Sequence, residues 1–320
     1  MANSSNSIWE INQNKEHVII GAVYSILAIA VLPVYVPIIY ALRYRGEFKD
    51  NVSYKLINIP NICDLLQSFN HILTGFFIIF PIFALKVDPF VRIMGYTANT
   101  LWTASYVIIA VLAITRLDVT FYHLKPNKWT FWQKEAIFPS SFQPINIHFQ
   151  ILLALGGFYI FVIWIIGCVT LNFQLVGVTW SYDTSAPFVD ILSPLELYFC
   201  FPIMVLSFLS YILILSNIYK KKRQSQSSSS LRTEISILVQ ATVLTSYMAV
   251  LMALWHNAES WFEMTDITLS LLNGAWVVFS HLNFLAMYCG GSSIKDVTKV
   301  GASSMASSTL NNRRISTVTQ

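Results

Sequence analysis

Charge is what this sequence has least of: 11% of its 320 residues are Asp, Glu, Lys or Arg, while 55% are hydrophobic. Soluble domains carry about 25% charged residues, so an ordinary soluble globule is excluded and the membrane becomes the solvent. Cysteine is sparse too. The four, Cys63, Cys168, Cys200 and Cys289, fall inside or at the end of apolar runs, and no two have a metal-ligand spacing. A disulfide framework and a metal centre are therefore not expected. Enzyme signatures are missing: there is no Gly-x-Ser-x-Gly, His-Glu-x-x-His, phosphate-cradling glycine loop or Cys-x-x-Cys. Asp64 has no second Asp at comparable depth, which excludes a proton-sharing dyad. The last apolar run has no Lys for a retinal Schiff base. The sequence thus points away from catalysis and calls for no cofactor.

What is present is a series of seven apolar runs, near 18 to 40, 55 to 80, 93 to 115, 149 to 171, 197 to 219, 235 to 256 and 267 to 289. Each has the roughly 20 residues that a helix needs to cross hydrocarbon, and open-ended strands are too costly in lipid. The expected fold is an all-α membrane protein, a seven-transmembrane helix bundle. Of the 20 Lys and Arg, 17 lie in the first, third and fifth connections and the C-terminal tail; only Lys15, Lys86 and Arg92 lie on the other side. Basic short loops stay cytoplasmic, so the N-terminus is expected outside and the C-terminus in the cytosol. The same placement explains the net charge of +4 without nucleic acid. The expected organisation is an extracellular tail (1–17) without a cleavable signal, a seven-helix bundle (18–289) and a disordered cytoplasmic tail (290–320). Asn3 opens an outward sequon and is a glycosylation candidate, and Arg313-Arg314-Ile315-Ser316 resembles a basic phosphorylation site at Ser316. Trp129, Phe131 and Trp132, among Lys128 and Lys134, read as an interfacial anchor to lipid. Pro33, Pro37, Pro60 and Pro202 predict kinks or local unwinding.

Polar side chains at membrane depth are costly, so they mark function or an interhelical bond. In the second run Asp64, Gln67, Ser68 and His71 follow i, i+3, i+4, i+7 and share one helix face. They fit either a satisfied interhelical hydrogen bond or a hydrated switch cluster. In the third, Asn99, Trp102, Thr103 and Tyr106 share a face in the outer half, as either a small-molecule pocket or aromatic packing. The seventh offers Asn273, Trp276, Ser280 and Asn283, the upper pair able to close the pocket and the lower pair at the depth of Asp64. Trp255 and His256 stand at the outer end of the sixth, and Tyr288 ends the seventh. Arg116 closes the third run as a snorkelling charge or part of a cytoplasmic latch. With only aromatic and amide groups identified in its walls, the pocket is expected to take a neutral or weakly polar molecule rather than an amine, while the outer-loop acids Asp183, Asp190 and Glu263 leave room for a cation.

Three stretches narrow the reading: Ser53-Tyr54-Lys55-Leu56-Ile57 with Asp64 and His71-Ile72-Leu73-Thr74-Gly75; Leu112-Ala113-Ile114-Thr115-Arg116; and Ile237-Leu238-Val239-Gln240. Together with the seven runs they resemble the nematode serpentine chemoreceptors, G-protein-coupled receptors, most closely class T, with class X the related alternative. The resemblance implies a chemosensory receptor for an external small molecule, signalling through a heterotrimeric G protein at the plasma membrane, in the cilium of a sensory neuron. The ligand set is then Asn99, Trp102, Thr103, Tyr106, Trp255, Asn273 and Trp276. The switch set is Asp64, Gln67, His71, Arg116, Ser280, Asn283 and Tyr288; coupling falls to Arg116 with Lys220, Lys221, Lys222 and Arg223. Rhodopsin-like receptors tie the third helix to the second outer loop by a disulfide. Stretches 81 to 100 and 172 to 193 contain no Cys, so that loop is expected to be held by packing alone. The acidic-Arg-aromatic triplet is Thr115-Arg116-Leu117, and the last helix reads Asn283-Phe284-Leu285-Ala286-Met287-Tyr288 without proline. The alternative from another class is a transporter or channel moving a proton or cation on Asp64 and His71.

Overall fold

The computed structural model describes residues 7–44, 52–122, 145–224 and 229–290. Asn3, Ser316 and the Trp129 to Trp132 anchor lie outside them, as do the side chains of Lys220, Lys221, Lys222, Arg223, Gln240, Ser280, Asn283 and Tyr288.

Among the described residues seven long helices form, with one short helix between the second and third. In chain order they are α1 (Lys15–Tyr44), α2 (Val52–Ile79), α3 (Pro81–Lys86), α4 (Asp88–Tyr122), α5 (Ile145–Thr170), α6 (Val189–Gln224), α7 (Ser229–Trp261) and α8 (Asp266–Gly290). Five described segments are long and apolar enough to cross a membrane: Lys15–Tyr44, Asn58–Ile79, Asp88–Leu117, Gln150–Thr170 and Val189–Asn217. The helices outrun the apolar runs because their ends are polar, which hydropathy counts against them and helix geometry does not. Pro33 and Pro37 lie within α1, Pro60 within α2 and Pro202 within α6, and each helix continues through them; local unwinding does not occur.

Neighbours close a ring: α1 packs on α2, α2 on α4, α4 on α6, α6 on α7, α7 on α8 and α8 back on α1. Helix α5 stands outside this ring against α4, with Ile151, Leu155, Phe158, Phe161 and Val169 exposed. Apolar exposure is no cost in lipid, where helices associate through close packing, small residues and interhelical hydrogen bonds. The α1–α2 contact uses the small residues. A Cβ on Gly21 would stand 2.7 Å from the Gly75 carbonyl, and one on Gly75 would overlap Ser25 and the Gly21 carbonyl. The two backbones therefore touch only because both positions lack a side chain.

Between α5 and α6 the chain forms a hairpin of β1 (Phe173–Val176) and β2 (Thr179–Tyr182), paired antiparallel with Phe173 opposite Tyr182 and Leu175 opposite Trp180. Its two-residue turn begins at Gly177 with φ 59°, the positive φ that a type II′ turn needs at its first position. The hairpin lies on α4 and α8 and caps one end of the bundle.

Candidate ligand site beneath the hairpin

The hairpin is anchored before it caps anything. Arg92 on α4 donates through Nη1 to Asp183 Oδ2 (2.7 Å) and to the Leu171 carbonyl (2.9 Å), and through Nε to Asp88 Oδ2 (2.8 Å). Leu171 follows α5 with φ 50°, and its exposed carbonyl is one that a helix end leaves for a cation. The Arg92 guanidinium, with the Ser185 hydroxyl and amide, holds the half-buried Asp183 carboxyl down at about 2. An ion-pair latch thus joins the start of α4 to the segment after the hairpin. The expectation of packing alone is corrected: charge-assisted bonds tie this loop.

Beneath the latch the strands carry aromatics inward. Trp180 stacks on Phe173 at 5.8 Å and donates through Nε1 to Thr74 Oγ1 of α2 (3.1 Å). A Cβ on Gly95 would overlap the Trp180 ring, so α4 admits this indole only through a glycine. Asn273 of α8 donates to the Val178 carbonyl at the hairpin turn (3.4 Å). Tyr182 reaches further in, donating to Glu196 Oε2 (2.8 Å) and accepting from Asn99 Nδ2 (3.0 Å).

Below Tyr182 lies a cavity of about 30 Å³ lined by Asn99, Trp102, Glu196, Leu251, Met252, Trp255, His256 and Trp276. It has room for a water molecule or two. Four of the expected ligand residues, Asn99, Trp102, Trp255 and Trp276, converge on it from α4, α7 and α8. Three do not line it. Thr103 is buried and donates back to the Asn99 carbonyl (3.1 Å), Tyr106 sets its ring edge-on to Trp102 at 5.4 Å, and Asn273 serves the hairpin. Glu196 was missed, and with it the expectation of uncharged walls falls. The fifth apolar run was begun after the last charge, whereas α6 starts at Val189 and places Glu196 seven residues, roughly 10 Å, inside the helix. A Glu beside an apolar run with Asp190 already available at the helix start was the signal.

Trp276 links the cavity to the polar face of α2. Its Nε1 donates to Gln67 Oε1 (3.0 Å), and its ring meets His71 (5.2 Å), Trp102 (5.8 Å) and Trp255 (6.0 Å) in edge contacts. Asp64, Gln67, Ser68 and His71 are all buried on that face, as are Asn61 and Thr74. Asp64 Oδ2 accepts from the Tyr35 hydroxyl of α1 at 3.0 Å, an interhelical bond. At the far end Arg116 is half-buried on α4 beside Leu117, which packs on a cluster of Ala113, Tyr211, Ile214 and Leu238 joining α4, α6 and α7. The backbones of Ser280, Asn283 and Tyr288 continue α8, and those of Lys220 to Arg223 continue α6.

Six long helices in a ring and a seventh against it, with a small aromatic cavity under a hairpin cap and a buried polar stripe leading from it, are consistent with a serpentine receptor. The chain belongs to the family described as serpentine type 7TM GPCR chemoreceptor Srt, whose model matches residues 2–289. Class T is thereby the class, rather than class X. Among curated proteins no match is found. The chain is a multi-pass, receptor-family membrane protein with the architecture expected from its seven runs.

Proposed function

We propose that the chain is a chemosensory receptor at the plasma membrane, in the sensory cilium, which binds an external small molecule in the cavity under the hairpin and activates a heterotrimeric G protein. The observation that supports this best is the position of Trp276. It is at once a wall of the cavity and the donor to Gln67 on the polar face of α2. A ligand that fits among Trp102, Trp255 and Trp276 has to part these indoles, since the present cavity is about 30 Å³. Parting them moves the Trp276 N–H relative to Gln67, and Asp64 lies one turn further along α2, bonded to α1. A ligand shifts such a balance only by its differential affinity for the two arrangements. Helix α4 runs 14 residues from Trp102 to Arg116, roughly 21 Å, and carries the change to the inner end. There Arg116 and Lys220 to Arg223 present positive charge to the G protein, and phosphate on Ser316 adds negative charge that recruits a desensitising partner.

The test is a second-messenger reporter in cells expressing the full chain, screened with volatile and water-soluble compounds. For any agonist found, Trp276→Phe and Trp102→Ala are expected to lower potency about tenfold, the factor that ~1.4 kcal/mol supplies. Neutralising Arg116 together with residues 220–223 is expected to abolish the response while the agonist still binds. Responses that survive both sets at normal surface expression would sink the reading.

A further inference from the structure

Glu196 is the carboxylate among the residues lining the cavity, and every bond it makes is to a neutral donor. Its Oε2 accepts from the Tyr182 hydroxyl (2.8 Å) and from Asn99 Nδ2 (3.4 Å). Among the described residues it joins no ion pair, and its Oε1 accepts no hydrogen bond. A carboxylate inside a membrane bundle is costly unless it is protonated or meets a cation. Tyr182 and Asn99 also bond each other at 3.0 Å, so Oε2 is held in place and Oε1 is left for a newcomer. Three indoles, Trp102, Trp255 and Trp276, line the same cavity, with Trp276 edge-on to both others. Indole faces attract cations through their quadrupole, more strongly when water is excluded. His256 adds a ring nitrogen that, in the neutral ring, can accept from an N–H.

A fixed acid without a protein cation among the described residues, in a cavity that three indoles also line, is built for an ammonium group. We propose that the cavity recognises a small protonated amine, its N–H donating to Glu196 and its alkyl part lying against Trp102, Trp255 and Trp276. This rests on the cavity being the ligand site. The hairpin supplies Tyr182, so the cap itself orients the acid, and selectivity for amines depends on the cap being in place.

Isobutylamine and isobutanol have nearly the same shape and differ in charge, which makes them the probes. The full chain in lipid nanodiscs is titrated with each near neutral pH, thermal unfolding is followed by circular dichroism, and empty nanodiscs correct for partitioning. Ligand that binds only the folded state raises the midpoint by mass action. Isobutylamine is expected to bind about tenfold tighter than isobutanol, as a charge-assisted bond in a dry site supplies. Glu196→Gln should erase that ratio, while Glu196→Asp should retain part of it. Equal binding of the two probes, a ratio that survives E196Q, or no binding by either would overturn the inference. If E196Q does not fold, the wild-type ratio alone decides: a value near one overturns the inference. Isobutanol binding without isobutylamine binding overturns the amine class and leaves the cavity as a ligand site. The receptor reading fails separately, through the Trp276 and Arg116 responses.

Discussion

Arg92 sits on the first turns of α4 and reaches two carboxylates and a carbonyl, so one side chain sets how firmly the hairpin is held. The pH dependence follows from Asp183, whose folded carboxyl stands at about 2 against an ordinary value of 3.8. Because the folded value is the lower one, the latch contributes fully above about pH 4 and its contribution is lost as pH falls toward 2. Asp183 is half-buried beside the hairpin and outside the helices, so the effect belongs to the hairpin rather than to the bundle. Protection of the amides of residues 173–182, taken relative to the intrinsic exchange rate at each pH, is expected to fall over that window in the wild type. In Asp183→Asn it should already be lower near neutral pH and change little on acidification. Equal protection in the two proteins at both ends of the window would show that Phe173, Trp180 and Gly95 hold the hairpin without the latch.

At the scale of an element, α2 explains why the stretch from His71 to Gly75 has the residues it has. His71 meets Trp276 edge-on, Thr74 accepts from Trp180, and Gly75 lets α1 approach. Three neighbours are served within five residues. Trp276→Phe keeps an aromatic ring but removes the donor to Gln67, whose Nε2 is buried without a partner among the described residues. Leaving its oxygen unpaired as well costs about 1–3 kcal/mol. Chemical denaturation in detergent should register that loss, and Gln67→Leu in the Trp276→Phe background should recover part of it by removing the stranded amide. No recovery would mean that the ring contacts, not the hydrogen bond, join α8 to α2. The polar faces of α2 and α4 were legible from sequence because membrane burial leaves polar residues a single favourable side to turn toward, and 3.6-residue spacing gives the face. The partners were not legible. Spacing along one helix says nothing of which neighbour supplies Tyr35 to Asp64 or Trp276 to Gln67. The hairpin also escaped, since Phe173 to Tyr182 is short, apolar and adjacent to two spans; Gly177 between two aromatic-rich arms was the one cue.

For the whole molecule the quantity to fix is orientation, and two features bear on it. The first is the basic residues, 17 of 20 in the connections and tail opposite the hairpin end. The second is the N-terminal segment, which folds onto the hairpin end: Trp9 stacks on Phe83 at 5.2 Å, Asn12 donates to the Ile78 carbonyl at 3.1 Å, and His17 contacts Asp266 at 3.0 Å. Residues 7 to 14 therefore share a compartment with the cavity mouth, and Asn3 is four residues from them. If basic connections are retained in the cytosol, the cavity faces outside and Asn3 is presented to the glycosylation machinery of the secretory route. An N-terminal epitope should be stained in intact cells and a C-terminal one only after permeabilisation, with a glycosidase-sensitive mobility shift that Asn3→Gln removes. Moving the topogenic charge checks the cause: replacing Lys220, Lys221, Lys222 and Arg223 by Gln weakens retention of one connection among four, so the staining pattern should hold. Extending the replacement to Arg43, Arg45 and Lys49 removes the bias flanking α1, and a fraction of chains should then insert inverted. An intact pattern after both replacements would mean that the fold of residues 7 to 17 against α2 and α3, rather than loop charge, fixes which end meets the outside.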